Sequence, residues 1–331
     1  MPQPRAGIPW SIAFSPEAYC HYCGVGVDRY HADPETMMQV QLEGARIVHE
    51  RFGLPLRRGV APDCTSYCGV SVFGLQVSYQ PDQPPSPIGH PIKSAEEAAE
   101  LQIPEDLTRA GMIPRMLEYY EYMKAHAPED VHVGFGTGGQ GPFTAAVVLR
   151  GNGIFLDIYE KPHLVHRFLE VLTETDIRLR EFNHRINGTA PGDGIGYADD
   201  YSGLLSPEHY REFALKYLLQ IAEHFGATRK SIHTELVRRE HLKILQDAGF
   251  TSIDVGADPY LTVRDCAEVL DVDFTMYFYT CPEHLLSNPQ QIRQVYGQMV
   301  ADGARRMCGD VCPGVPDGNV LAFIEVAKEY E

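Results

Sequence analysis

From about residue 131 the chain alternates short strand-like runs with longer helix-like stretches, and this rhythm limits its folds more than any other feature. Val131–Phe135 reads as a strand, and Gly136 to Gly141 as a glycine-rich turn into a helix beginning near Pro142. Proline suits a first helical turn, where its missing N–H has no partner to lose. Gly194–Ala198 is the next strand, and Ser206-Pro207-Glu208 opens a long helix with serine as N-cap. Its apolar face is Tyr210, Phe213, Ala214, Tyr217, Leu218 and Ile221 at three-four spacing, and Gly226 closes it. Further strands are expected over 230–233, 252–255, 274–279 and 304–307, and helices over 239–248, 261–270, 289–302 and 319–330. Repeated β–α units with right-handed crossovers leave a barrel or an open doubly wound sheet. The glycine run at 136–139 lacks the third glycine and later acid of a dinucleotide fingerprint, and no P-loop is present. The expected fold is therefore a single (β/α)8 TIM-type barrel over residues 1–331, with residues 1–55 as a helical or irregular amino-terminal extension.

Polar residues gather where those strands end. Asp199 and Asp200, His233 and Glu235, Asp258, Tyr279 and Cys281, and Cys308 fall at or just past the expected carboxyl ends. In a barrel those ends converge on one face, where active sites sit. His233-Thr-Glu235 with the distant Cys308 offers one nitrogen, one oxygen and one sulfur donor. Three protein ligands and an open fourth position is the composition of a catalytic zinc site. The plainer alternative is chance, since fourteen histidines and forty-five acids make some His-x-Glu tripeptide ordinary. Glu235 has a salt bridge to Arg238 or Arg239 as its other reading, and Cys312 competes with Cys308 for the sulfur position. Asp199 and Asp200 are candidates for orienting substrate or merely for capping a turn. Tyr197, Tyr201, Tyr277 and Tyr279 are candidates for an aromatic pocket, with strand-core tyrosines as the alternative.

Composition narrows the function classes. A formal charge of −17 argues against a nucleic-acid surface, which needs clustered Lys and Arg. No apolar run approaches eighteen residues, and MPQPRAGIPW has no charged segment followed by an apolar one, so neither a membrane span nor a leader is expected. A cytoplasmic location follows as the expectation. Eight cysteines in 331 residues do not make a disulfide scaffold, and Cys20-His-Tyr-Cys23 with Cys64 and Cys68 lacks paired zinc-knuckle spacing. Most of these thiols are expected to be small buried hydrophobes.

Four stretches resemble the uroporphyrinogen decarboxylase superfamily, and within it the zinc-containing, corrinoid-dependent methyltransferases. They are Phe73-Gly74-Leu75 with Pro85 and Ile88; Gly139-Gln-Gly-Pro142-Phe143-Thr144; Tyr197-Ala-Asp199-Asp200 with Ser206-Pro207-Glu208; and Cys308-Gly-Asp-Val-Cys312 through Pro316 and Asn319. The resemblance is weak before residue 60 and good from about residue 135. The arginine-rich R-Q-A-G-R motif of the decarboxylases is missing, and Arg57-Arg58 does not match it. The methyltransferases carry H-x-C and a later Cys as zinc ligands, so the resemblance implies His233, Glu235 and Cys308 as ligands of one zinc per chain, with Glu235 replacing a thiolate. A carboxylate leaves the ion a stronger Lewis acid with a harder preference, which favours an ether or alcohol oxygen. The reading is then transfer of a methyl group from a small methoxylated compound, aromatic in the favoured form, to the cobalt of a corrinoid. The chain shows no D-x-H-x-x-G run, so the corrinoid is expected on a separate protein. A homodimer is also compatible. Asp199, Asp200 and Tyr279 are the expected catalytic groups, and Tyr197, Tyr201, Asp63 and Phe143 the expected substrate contacts. Thiol methylation and a metal-free lyase using Asp63 and Asp199 stand as the alternatives.

Overall fold

The computed structural model describes residues 7–256 and 258–331; residues 1–6, part of the stretch read for a leader, lie outside it. Among the described residues ten strands appear: β1 (Trp10–Phe14), β2 (Gly59–Val60), β3 (Val77–Gln80), β4 (Gln83–Pro87), β5 (His132–Val133), β6 (Gly194–Ala198), β7 (Arg229–His233), β8 (Phe250–Asp254), β9 (Asp273–Phe278) and β10 (Arg306–Val311). Six of them form one parallel sheet in the order β1-β10-β9-β8-β7-β6. Thus the first strand of the chain lies beside the last, as in a curled, barrel-like α/β fold.

The eight-stranded closure expected from sequence is not complete. β2 and β5 pair in parallel only with each other, through two residues apiece, and β3 and β4 form a separate antiparallel hairpin. Pro62, which has no N–H, follows closely on β2, and Gly134, which loses the most backbone freedom on ordering, follows β5. The expected strand over 131–135 therefore shrinks to His132–Val133. The amino-terminal region also differs from expectation. Its first strand is an integral member of the sheet, and only the segments Pro16–Cys23, Val27–Ala32 and Pro34–Phe52 are helical.

Alternation along the strands separates two faces. Ile195, Tyr197, Ile232, Ile253, Phe274, Met276, Phe278 and Met307 are buried, and they form the core with the surrounding helices. The intervening residues, including Ser231, His233, Ser252, Asp254, Tyr277 and Cys308, lie on the opposite face by the period of two. Cys308 was expected to end its strand but stands in the middle of β10. Gly309 admits close packing within the strand, because a Cβ there would meet Ile12 and Phe323 at 3.1 Å.

The helix read from Ser206 is present, with the Ser206 hydroxyl accepting from the His209 N–H at 3.2 Å. All six residues of its apolar face are buried. One turn, Arg211–Leu215, is π-helical between the α-helical segments Pro207–Tyr210 and Lys216–His224. At the closing end of the chain, Phe323 of the helix Asp317–Glu329 meets Phe278 at 5.5 Å, Tyr296 at 5.7 Å and Trp10 at 6.4 Å between ring centroids. Phe323→Ala should therefore lower stability by about 3–5 kcal/mol. Urea denaturation checks this, and an unchanged midpoint would show that the aromatic cluster does not hold β1, β9 and β10 together.

Candidate functional site

The carboxyl ends of β6, β7 and β8 are laced by short hydrogen bonds. The Gly141 N–H donates to Ala198 O (2.6 Å), Asp199 N–H to His233 O (2.8 Å) and Thr234 N–H to Asp254 O (2.8 Å). The Thr234 hydroxyl adds a bond to Asp199 O at 2.9 Å. Asp199 itself faces inward, fully buried, with its Oδ1 accepting from the Thr144 hydroxyl at 2.8 Å. Burial pushes its carboxyl up to about 6, moderated by Ser202 and Thr144. Asp199 thus braces the turn that presents the next residue, with its second oxygen, Oδ2, buried and without a hydrogen-bond partner.

Asp200 follows on the open side, and the Tyr201 N–H fixes the turn by donating to Thr144 Oγ1 at 3.0 Å. There Asp200 Oδ1 lies 3.5 Å from His233 Nε2, and Glu235 Oε1 lies 3.9 Å from the same nitrogen. The other ring nitrogen, Nδ1, is 2.9 Å from Asp254 Oδ2. Each of these side chains is about one-third exposed except Asp254, at 19 %. Burial disfavours charge on His233, but the hydrogen bond and charge of Asp254, with Asp200 and Glu235 beyond it, outweigh that and raise the imidazole to about 9. Glu235 is held from behind: Leu236 adopts φ +60°, and a Cβ on Gly256 would strike Glu235 Oε1 at 2.5 Å. A leucine in the left-handed region is backbone strain that persists only where its surroundings enforce it.

An aromatic wall continues from this group. Tyr277 and Tyr279 stack at 5.3 Å, and His233 meets Tyr277 edge-on at 6.2 Å. The Tyr279 hydroxyl is buried and has no hydrogen-bond partner. Burial, with Glu235 and Asp254 nearby, raises it well above the usual phenol range, so it stays protonated and can donate a hydrogen bond. Beyond Tyr277 comes Cys308, whose thiol is raised by burial and steadied by Ser11 and Tyr277.

Among the described residues, no three His, Cys, Asp or Glu side chains gather closely enough to hold a metal as they stand. His233 and Glu235 do come together, as the sequence suggested. Cys308 lies on the same face, on β10, and among the described residues it does not complete a metal-holding group with them. Three of the expected substrate contacts also lie elsewhere. Phe143 is fully buried against Phe155, the Tyr197 hydroxyl donates to Leu218 O at 2.8 Å on the helix side, and Asp63 sits by His31. Tyr201 is 41 % exposed beside the turn. Asp258 is a loop brace, accepting from the Val237 and Tyr260 N–H groups. Asp254 was missed. Its signal was present: it pairs in register with His233 one β–α unit later, on the polar side of the alternation Ser252, Ile253, Asp254, Val255.

The description "Uroporphyrinogen decarboxylase (URO-D)" matches residues 10–330. The chain belongs to the uroporphyrinogen decarboxylase family. Among its relatives, a uroporphyrinogen decarboxylase of Flavobacterium johnsoniae is 24% identical over 293 residues, 83% of this chain and 82% of the relative. One of Christiangramia forsetii is 25% identical over 178 residues, 52% of this chain and about half (50%) of the relative's length. The fold is similar to that of a methyltransferase from Methanosarcina mazei, with a TM-score of 0.73 and 21% identity, covering 99% of this chain and 95% of that one.

This member of the uroporphyrinogen decarboxylase family keeps a second polar cluster in its amino-terminal helices. His31 is 1 % exposed, and neither ring nitrogen has a hydrogen-bond partner; Asp63 Oδ2 is 3.9 Å from Nε2. Its ring packs on Tyr79 at 4.7 Å and Tyr30 at 4.8 Å. Burial lowers its pKa from 6.5 to about 4, aided by Arg115 and opposed by Glu17. The unfolded chain therefore binds a proton at His31 that the folded chain refuses between about pH 6.5 and about pH 4. Stability is fully present above that window and is lost as pH falls through it, by about 3 kcal/mol. His31→Phe should lose less stability than the wild type between pH 7.5 and pH 4, read from urea midpoints; parallel losses would assign the acid sensitivity to other groups.

Proposed function

We propose that the chain is a zinc-dependent methyltransferase that takes a methyl group from a small methoxylated compound, aromatic in the favoured form, and delivers it to the cobalt of a separate corrinoid protein. The observation that carries this reading is the pose of His233. With Nδ1 committed to Asp254, the free Nε2 is directed toward carboxylate oxygens at 3.5 and 3.9 Å. Tetrahedral zinc with ligands at about 2.0–2.1 Å places neighbouring donors about 3.3–3.4 Å apart. The pairs around Nε2, at 3.5 and 3.9 Å, are wider than that spacing, so His233 and Glu235 would close in to hold an ion here. A carboxylate receiving the other imidazole N–H is the usual support of a metal-bound histidine.

Zinc, when bound, supplies the Lewis acidity that a poor alkoxide or phenolate leaving group requires. The protein's own groups do the rest. Tyr279 offers its unpartnered hydroxyl to an oxygen on the substrate, and the Tyr277–Tyr279 stack provides a flat apolar surface for an arene. Asp254 fixes the plane of His233.

The relatives named as uroporphyrinogen decarboxylases suggest a different substrate, and the charge at this mouth argues against it. Asp200, Glu235, Asp254 and Asp310 all lie around His233. A substrate with many carboxylates meets repulsion there. Arg57 and Arg58 are exposed, and Arg58 pairs with Asp130. Elemental analysis of zinc-supplied protein should find one ion per chain, and Asp254→Asn should weaken its binding by about 10–100-fold. Adding cob(I)alamin and methoxyarenes should convert cob(I) to methylcobalamin, with His233→Ala inactive. Methylation of a thiol by methylcobalamin instead would reverse the direction of transfer. Protein that binds no zinc yet releases carbon dioxide from uroporphyrinogen would overturn the proposal.

A further inference from the structure

We infer that the open seam between β1 and β2 is a second ligand site, shaped for a small carboxylic acid that carries an amide beside an apolar group, as N-acyl amino acids do. A cavity of about 300 Å³ lies there. Trp10, Ile12 and Phe14 of β1 border it, with Tyr19 of the helical segment Pro16–Cys23, Ala45 of Pro34–Phe52, and Arg57 of the stretch leading into β2. Its size falls within the range of small-molecule sites. The cavity shares no residue with the group around His233, so the inference stands apart from the methyltransferase reading.

The incomplete barrel leaves hydrogen-bonding capacity at this seam. The Met307 N–H donates to Pro9 O and the Ser15 N–H to Val311 O, with Trp10 opposite Met307 in the ladder. A parallel pairing of that register turns Pro9, Ser11, Ala13 and Ser15 toward β10, and the backbone groups of Trp10, Ile12 and Phe14 toward the other edge. No strand pairs there, since β2 bonds only to β5, and among the described residues none of those three N–H groups has a hydrogen-bond partner. Such an edge is a template for an incoming amide, which would lie along it as an added strand does.

Arg57 sets the charge of the ligand. Its neighbours Arg51 and Arg58 pair with Asp317 and Asp130, whereas Arg57 has no carboxylate partner among the described residues. Its charge falls on the cavity: burial raises the Tyr19 phenol, and Arg57 pulls it back. A guanidinium fork matches a carboxylate in geometry. Trp10 and Tyr19 supply aromatic wall for the apolar group, and the small Ala45 leaves it room.

Trp10 is the only tryptophan of the chain, so its fluorescence reports on this cavity. The full chain is titrated with N-acetylphenylalanine, with its neutral counterpart N-acetylphenylalaninamide, and with phenylpropionate, which lacks the amide. Wild type, Arg57→Gln, Ala45→Leu and His233→Ala are compared, and circular dichroism confirms that each is folded. N-acetylphenylalanine should shift the emission saturably and bind at least about tenfold more tightly than either analogue, the worth of one hydrogen bond to a charged group. Arg57→Gln should lose that advantage over the neutral amide while binding the amide as wild type does. Ala45→Leu, which fills the cavity, should abolish binding, and His233→Ala should leave it unchanged. No saturable shift with the acid overturns the inference, as does equal affinity for either analogue. Binding that a folded Ala45→Leu retains, or that His233→Ala loses, places the ligand elsewhere and overturns it too.

Discussion

Side chains alternate across a strand, and in a curled parallel sheet that alternation decides what each face of the wall can be. One set of residues, Ile232, Ile253, Phe274, Phe278 and Met307 among them, is consumed in sealing the helices. The other set is free to be polar, and register determines which of its members meet. His233 lies beside Asp254 because β7 and β8 pair at those positions, and Tyr277 lies beside Cys308 because β9 and β10 do. A slip of one residue in any pairing would exchange the two faces and dissolve the site. Stability and chemistry thus draw on the same ladder, and Asp199 shows how closely. It is a buried carboxylate whose work is to fix the turn that presents its neighbour.

The electrostatics of the mouth follow from that wall. Asp200, Glu235 and Asp254 crowd one imidazole, and in the absence of any other cation the imidazole keeps its proton to about pH 9. Such a group calls for positive charge. Family membership alone does not choose a substrate, since sites are grafted onto folds. The local feature that supports the substrate proposed here is an acidic mouth where a polyanionic substrate would need an arginine clamp.

Much of this was legible in the sequence, and the parts that were not have physical reasons. The order of the β–α rhythm after residue 131, the Ser206 cap and the six-residue apolar face of its helix are local patterns and are present, although the first strand is shortened and the last runs farther on. The pairing of His233 with Glu235 is local too, being a matter of two residues. The failures are non-local. Phe143 and Tyr197 are aromatic residues near strand ends, but only packing reveals that one is sealed in the core and the other donates to a helix carbonyl. Cys308 was placed at a strand end, whereas β10 runs on through Gly309 and Asp310 to Val311. The glycine is there for Ile12 and Phe323, residues of β1 and of the closing helix. Closure of the barrel failed for a related reason: β2 and β5 are too short and too interrupted to carry a ladder.

Glu235 shows how a new chemistry can be fitted to an old wall. It sits just past β7, where the backbone must turn sharply enough to force Leu236 to φ +60°. The turn is affordable because Gly256, from the loop after β8, leaves room for the carboxylate that a larger residue would displace. A glutamate is longer than a cysteine, so from the same backbone position it reaches farther toward His233 Nε2. Cys308, beside Tyr277 in the β9–β10 pairing, is kept a neutral packing group by burial, which raises its thiol.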